Sequence, residues 1–148
     1  MIELRDENDT AQLATRLAEV LPAGSLLLLR GPLGAGKTTL VRYLARALGF
    51  DGRVTSPTYT LMHTYPTPHG ELLHVDVYRL PEVSTIYDLG FADARETAYL
   101  TVVEWGAPSD FPGGLELVLE PSGENSRRVR LLAHDPSLKN LPAAVTKS

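Results

Sequence analysis

The stretch from Ser25 to Leu48 constrains this chain more than any other. Ser25-Leu26-Leu27-Leu28-Leu29-Arg30 is a short, continuous apolar run between turn signals, the pattern of a strand covered on both faces in a parallel sheet. Gly31-Pro32-Leu33-Gly34-Ala35-Gly36 follows at once, and Lys37 to Leu48 then places Leu40, Tyr43, Leu44, Ala47 and Leu48 on one helical face, with Gly49 as the stop. Strand, glycine loop and helix in that order predict an α/β fold: a mostly parallel central sheet flanked by helices. The length of 148 residues fits one core, and 43% hydrophobic with 22% charged residues matches an ordinary globular domain.

The other segments fill in this plan. Asp9 with Gln12 three residues on predicts a helix N-terminus, and Leu13, Leu17, Val20 and Leu21 carry the helical period toward Pro22. Arg53 to Thr67 reads as two extended pieces bent at Pro57. His69-Gly70 is a turn before a strand over Leu72–Tyr78, and Leu100–Glu104 is another strand. Between them, Ser84 to Tyr99 predicts one or two short helices broken near Gly90. Leu115–Glu120 and Arg127–Ala133, joined by Pro121-Ser122-Gly123-Glu124-Asn125, predict a C-terminal hairpin, whose basic cluster Arg127, Arg128 and Arg130 is read as its solvated face, with contact to a partner or tRNA as the alternative. One domain over 1–135 and a flexible tail over 136–148 are expected.

The chain contains no cysteine, which removes disulfides, thiolate metal sites and cysteine nucleophiles together. Its formal charge of −4 argues against broad non-specific nucleic-acid or membrane binding, so any RNA contact is local. The acidic N-terminus has no leader pattern and no apolar run reaches a membrane-spanning length, so a cytoplasmic location is expected. His63, His69, His74 and His134 form no recognisable metal set; His74 is read as a strand residue that hydrogen-bonds Asp76.

Gly31 to Thr38 fits G-x-x-x-x-G-K-[ST] at every position, in the strand-to-helix setting that this motif requires. Glycines let backbone N–H groups converge on phosphate oxygens, and the helix behind them adds a partial positive charge. Gly34, Ala35 and Gly36 therefore form the cradle, Lys37 reaches the β- and γ-phosphates, Thr38 ligates Mg²⁺, and Thr39 is placed to donate to the α-phosphate. No Asn-Lys-x-Asp stretch is present to select guanine, which favours ATP. An acid at the end of a neighbouring strand must complete the magnesium site, and Asp76 and Glu104 both qualify.

The order of four blocks, Gly31 to Thr39, then Ser56-Pro57-Thr58-Tyr59, then His74-Val75-Asp76-Val77-Tyr78-Arg79-Leu80, then Val103-Glu104-Trp105, resembles the TsaE family of bacterial P-loop ATPases. The resemblance implies a P-loop NTPase-like sheet with antiparallel additions. It also implies a role in forming threonylcarbamoyladenosine in tRNA, with ATP hydrolysis resetting a transferase pair, TsaD and TsaB. Position by position, it assigns Lys37 and Thr38 to phosphate and Mg²⁺, Glu104 to the magnesium site and Asp76 to hydrolysis. Thr58 falls in a segment resembling a nucleotide-sensing switch, and Trp105 matches an aromatic beside the nucleotide, although a lone tryptophan serves equally as a buried anchor. Two departures stand out: Pro32 replaces a frequent acid, and Gly106-Ala107-Pro108 replace a frequent Pro-Glu pair.

The expected chemistry is Mg-ATP hydrolysis by an in-line water, with Lys37, Asp76 and Glu104 as the catalytic set. No glutamine or arginine is evidently placed to complete the site, so turnover is expected to be slow alone and stimulated by partners. A nucleotide-switched binding module and, further off, a small-molecule kinase are the alternatives.

Overall fold

Leu26 to Leu29 lie at the centre of the molecule, each no more than 1% exposed. The computed structural model describes residues 1–32, 34–55, 61–78 and 80–146. The elements in chain order are β1 (Ile2–Leu4), α1 (Glu7–Val20), β2 (Ser25–Arg30), α2 (Lys37–Ala47), β3 (Met62–Thr67), β4 (Gly70–Asp76), α3 (Ser84–Asp88), α4 (Phe91–Thr97), β5 (Leu100–Glu104), β6 (Leu115–Pro121), β7 (Arg127–Ala133) and α5 (Leu141–Thr146). The strands form one seven-stranded sheet in the order β1-β7-β6-β2-β5-β4-β3.

The continuous apolar run of β2 follows from this order. Leu27 and Leu29 face α1 and α2 and pack in a cluster with Leu13, Leu17, Leu40 and Leu44. Leu26 and Leu28 face the other way and join Ile86, Phe91 and Phe111. Burying one such leucine is worth about 1.5–3 kcal/mol over leaving it exposed, so this strand anchors both layers. β2 pairs in parallel with β5 and β6, and β5 in parallel with β4. The outer pairs β1–β7, β6–β7 and β3–β4 are antiparallel. The expected mostly parallel sheet is therefore restricted to the four central strands.

Several boundaries differ from expectation. Helix α1 is capped by Asp6, whose side chain accepts from the Asp9 N–H, while Asp9 sits in the first turn and accepts from the Arg5 N–H at 2.9 Å. On α2 the buried face is Lys37, Leu40, Val41, Leu44 and Ala45. Ala47 is exposed. Strand β1 was not anticipated: Ile2 and Leu4 alternate with charged neighbours in only three residues, and pairing with β7 supplies the stability.

The C-terminal segment corrects the expectation of a flexible tail. After a 3₁₀ turn over Pro136–Leu138, α5 docks on α1, and Arg16 donates to the Val145 carbonyl. Val145 is fully buried and Leu138 is 4% exposed. Small apolar residues spaced through a polar stretch give little helical signal alone, but Leu138 and Val145 find places in the core. No helix among the described residues is long and apolar enough to cross a membrane.

Candidate functional site

The glycine loop leaves β2 at the edge of β6. Gly31 has φ +146°, and a Cβ there would stand 2.2 Å from the Leu119 carbonyl oxygen, so only glycine lets the loop begin this close to the neighbouring strand. Ala35 is fully buried at the loop's base, and Gly36 caps α2. The N–H groups of Thr38 and Thr39 have no acceptor among the described residues. They are the unsatisfied donors of a helix start, which suit an anion.

One arginine holds the loop that leads into this helix start. Arg127, at the start of β7, donates from Nε to the Ala35 carbonyl at 3.1 Å and from Nη2 to the Gly34 carbonyl at 2.9 Å. Those carbonyls belong to the loop ahead of the Gly36 cap, outside the helical turn, and Thr38 and Thr39 have no helical acceptor because they stand in the first turn. Arg127 occupies the two loop carbonyls and braces the loop from outside. This corrects its placement on the solvated face of the hairpin. Arg128 and Arg130 do stand on that face, paired with Glu3 and Glu120. Arg127 shares strand parity with the inward-facing Val129, and that alternation was the available signal.

Lys37 is 5% exposed, and its Nζ donates to the Gly31 and Pro32 carbonyls at 2.7 and 2.9 Å. Burial pushes its pKa down, while the charges of Glu104 and Asp76 push it back up. The ammonium also lies 4.1 Å from the Trp105 ring centroid. Trp105 in turn stacks at 4.5 Å on Tyr78 and takes a left-handed backbone, φ 69°, with its N–H bonded to the Leu29 carbonyl. Such a conformation costs a non-glycine residue about 1–2 kcal/mol, so tertiary contacts hold the indole in place.

Asp76 and Glu104 are register partners on β4 and β5, and Leu29 of β2 is partner to Glu104. This strand order brings both acids to the mouth of the glycine loop. The Thr38 hydroxyl donates to the Glu104 carboxylate at 3.1 and 3.2 Å. The fully buried His74 donates from Nε2 to Glu104 Oε2 at 2.5 Å. His74 thus orients Glu104, which corrects the expected bond to Asp76. Asp76 instead accepts from the Tyr78 N–H at 2.9 Å. Burial raises its pKa and the neighbouring Glu104 charge adds to that, against the lowering effect of the Tyr78 N–H.

The structure therefore brings Gly34, Ala35, Gly36, Lys37, Thr38, Asp76, Glu104 and Trp105 to one place, while Thr58 lies outside the described residues. Thr39 sits on the other side of the loop, in a cleft of about 820 Å³ lined also by Glu7, Thr10, Gly36, Asn125 and Arg127. That volume falls in the range of small-molecule sites. No group of three or more acidic or histidine side chains forms a cation cage among the described residues. The Thr38 hydroxyl and two carboxylates are hard oxygen donors, and such a partial set suits magnesium shared with substrate phosphates.

Comparison with known proteins identifies the family of the chain. Residues 4–129 match the family model described as Threonylcarbamoyl adenosine biosynthesis protein TsaE. The tRNA threonylcarbamoyladenosine biosynthesis protein TsaE of Aquifex aeolicus is 39% identical over 130 residues, 86% of this chain and 92% of the relative. The protein of the same name from Rickettsia felis is 35% identical over 138 residues, 90% of this chain and 80% of the relative. The crystal structure of Bacillus subtilis YdiB superposes with a TM-score of 0.79 at 26% identity, covering 97% of this chain and 91% of that one. The chain belongs to the TsaE family of threonylcarbamoyl adenosine biosynthesis proteins.

Proposed function

We propose that this chain is a P-loop NTPase that binds and hydrolyses Mg-ATP in support of tRNA threonylcarbamoyladenosine formation, resetting a TsaD–TsaB transferase pair between cycles. The observation that carries this reading is the convergence of Lys37, Thr38, Glu104 and Asp76 on one loop mouth from α2, β5 and β4. Loop N–H groups and the start of α2 hold the phosphates, and Lys37 exchanges its carbonyl partners for phosphate oxygens. Thr38 and Glu104 would hold the magnesium ion, with His74 keeping Glu104 in register. Magnesium, when bound, supplies charge neutralisation between the phosphates. Asp76, whose raised pKa makes it a better proton acceptor than an ordinary aspartate, orients the attacking water. The cleft beside Thr39 takes the nucleoside.

A group supplied by a partner is worth about 10³–10⁵ in related phosphoryl-transfer systems. Slow turnover alone and acceleration by TsaD and TsaB follow. The chain has a single tryptophan, Trp105, in contact with Lys37, so its fluorescence reports occupancy directly. Titration with ATP should change that signal saturably only when magnesium is present at full strength, and Lys37→Ala should abolish the change. A flat Trp105 response, with no ATP retained in equilibrium dialysis, contradicts the reading.

A further inference from the structure

A second cleft, of about 540 Å³, lies on the outer side of α2 and is lined by Arg42, Arg46, Asp51, Gly52 and Arg53. Arg42 and Arg46 are one helical turn apart, and their guanidinium carbons lie 5.3 and 5.6 Å from the Tyr43 ring, which limits the freedom of both side chains. Arg42 pairs with Glu7, whereas Arg46 and Arg53 enter no ion pair among the described residues. The turn that carries Arg53 back toward α2 is tightly built: a Cβ on Gly52 would come within 2.4 Å of the Phe50 ring. Even with Asp51 in the lining and Arg42 paired, Arg46 and Arg53 leave this cleft locally positive in a chain of net charge −4.

We propose that this cleft binds the phosphodiester backbone of an RNA strand, with Arg46 and Arg53 as the principal contacts. The choice of RNA rests on the reading of the chain as a tRNA-modification protein. Arginine forks match tetrahedral phosphate oxygens in pairs and stay charged at any working pH. Of the lining side chains only Val54 is apolar, and the exposed large hydrophobic residues, Met1, Tyr78, Tyr87, Leu89 and Leu132, all lie outside this cleft, so it offers charge and little apolar surface. Arg42 lines both this cleft and the one beside the glycine loop, so a strand held here runs next to the nucleotide site.

The test is fluorescence anisotropy of a labelled tRNA transcript with the full chain at several salt concentrations, against the double variant Arg46→Glu, Arg53→Glu. The variant should bind at least tenfold more weakly, and its log–log salt slope should flatten by about 1.5, the value for two lost phosphate contacts. Its Trp105 response to Mg-ATP should match wild type, which separates failure of this site from failure of the nucleotide site. Lys37→Ala should keep its tRNA affinity. Equal tRNA binding by wild type and the double variant overturns the proposal, as does tRNA binding lost in Lys37→Ala alone. Binding of poly-glutamate as tight as tRNA, with the same arginine dependence, also overturns it by pointing to an acidic protein segment.

Discussion

At the scale of single residues, the site is organised by what each charge is held against. Lys37 is buried beside two carboxylates, so its removal leaves Asp76 and Glu104 facing each other without a cation. Lys37→Ala should therefore weaken ATP binding by at least tenfold in dialysis while the far-ultraviolet circular dichroism is unchanged. Asp76 and Glu104 divide the work. Glu104→Ala should weaken magnesium-dependent binding, whereas Asp76→Asn should leave ATP affinity within a few-fold and slow turnover by about 10²-fold, the scale of a lost general base. The raised pKa of Asp76 adds a stability effect of opposite sign. A carboxylate whose folded pKa is raised favours folding in its protonated form, so its contribution is present at low pH and is lost as pH rises through the folded value. At pH 7 the charged group is a cost, and Asp76→Asn should be more stable than wild type in urea denaturation at that pH, with the advantage fading as pH falls. The loop residues and both acids were legible in the sequence because local spacing carries them. The His74–Glu104 bond was not, because it depends on β4 lying beside β5, which no local pattern encodes.

At the scale of elements, the glycine loop is shaped by a strand almost a hundred residues away. Arg127 on β7 holds the Gly34 and Ala35 carbonyls and so fixes the loop beside the Thr38 and Thr39 N–H groups, which the helix start leaves open for a ligand. Arg127→Ala should raise the ATP dissociation constant about tenfold, in line with two charge-assisted hydrogen bonds worth about 1.5–3 kcal/mol each before solvent competition. Arg127→Lys should recover little of that loss, since an ammonium cannot span two carbonyls in the plane of a guanidinium. Recovery to wild-type affinity would show that charge alone matters. β2, α2, β5 and the β6–β7 hairpin were read correctly from periodicity and turn chemistry. β1 and α5 were missed because three and six residues have no independent stability and form only where the core accepts them.

For the whole molecule, the sheet order is what makes a site out of separated blocks. β2 sits between β6 and β5, so the loop leaving β2 meets Leu119 on one side and Glu104 on the other, and β4 adds Asp76 beyond. The motif required a parallel pairing near the loop, but not which strands would provide it. α5 closes the opposite part of the α1–α2 layer, and Val145→Asp should cost about 2–4 kcal/mol by placing a charge in the core. A change below 0.5 kcal/mol in the urea midpoint analysis would mean that the segment is not docked in solution.

The most direct test of the ATPase reading is Mg-ATP hydrolysis by the chain alone and with purified TsaD and TsaB, with Lys37→Ala and Asp76→Ala as controls. Slow release of phosphate by the chain alone, strong stimulation by the pair and loss of both in the two variants is the predicted result. ATP bound normally but hydrolysed no faster with the pair than without it would contradict a partner-activated ATPase and leave a nucleotide-switched binding module in its place.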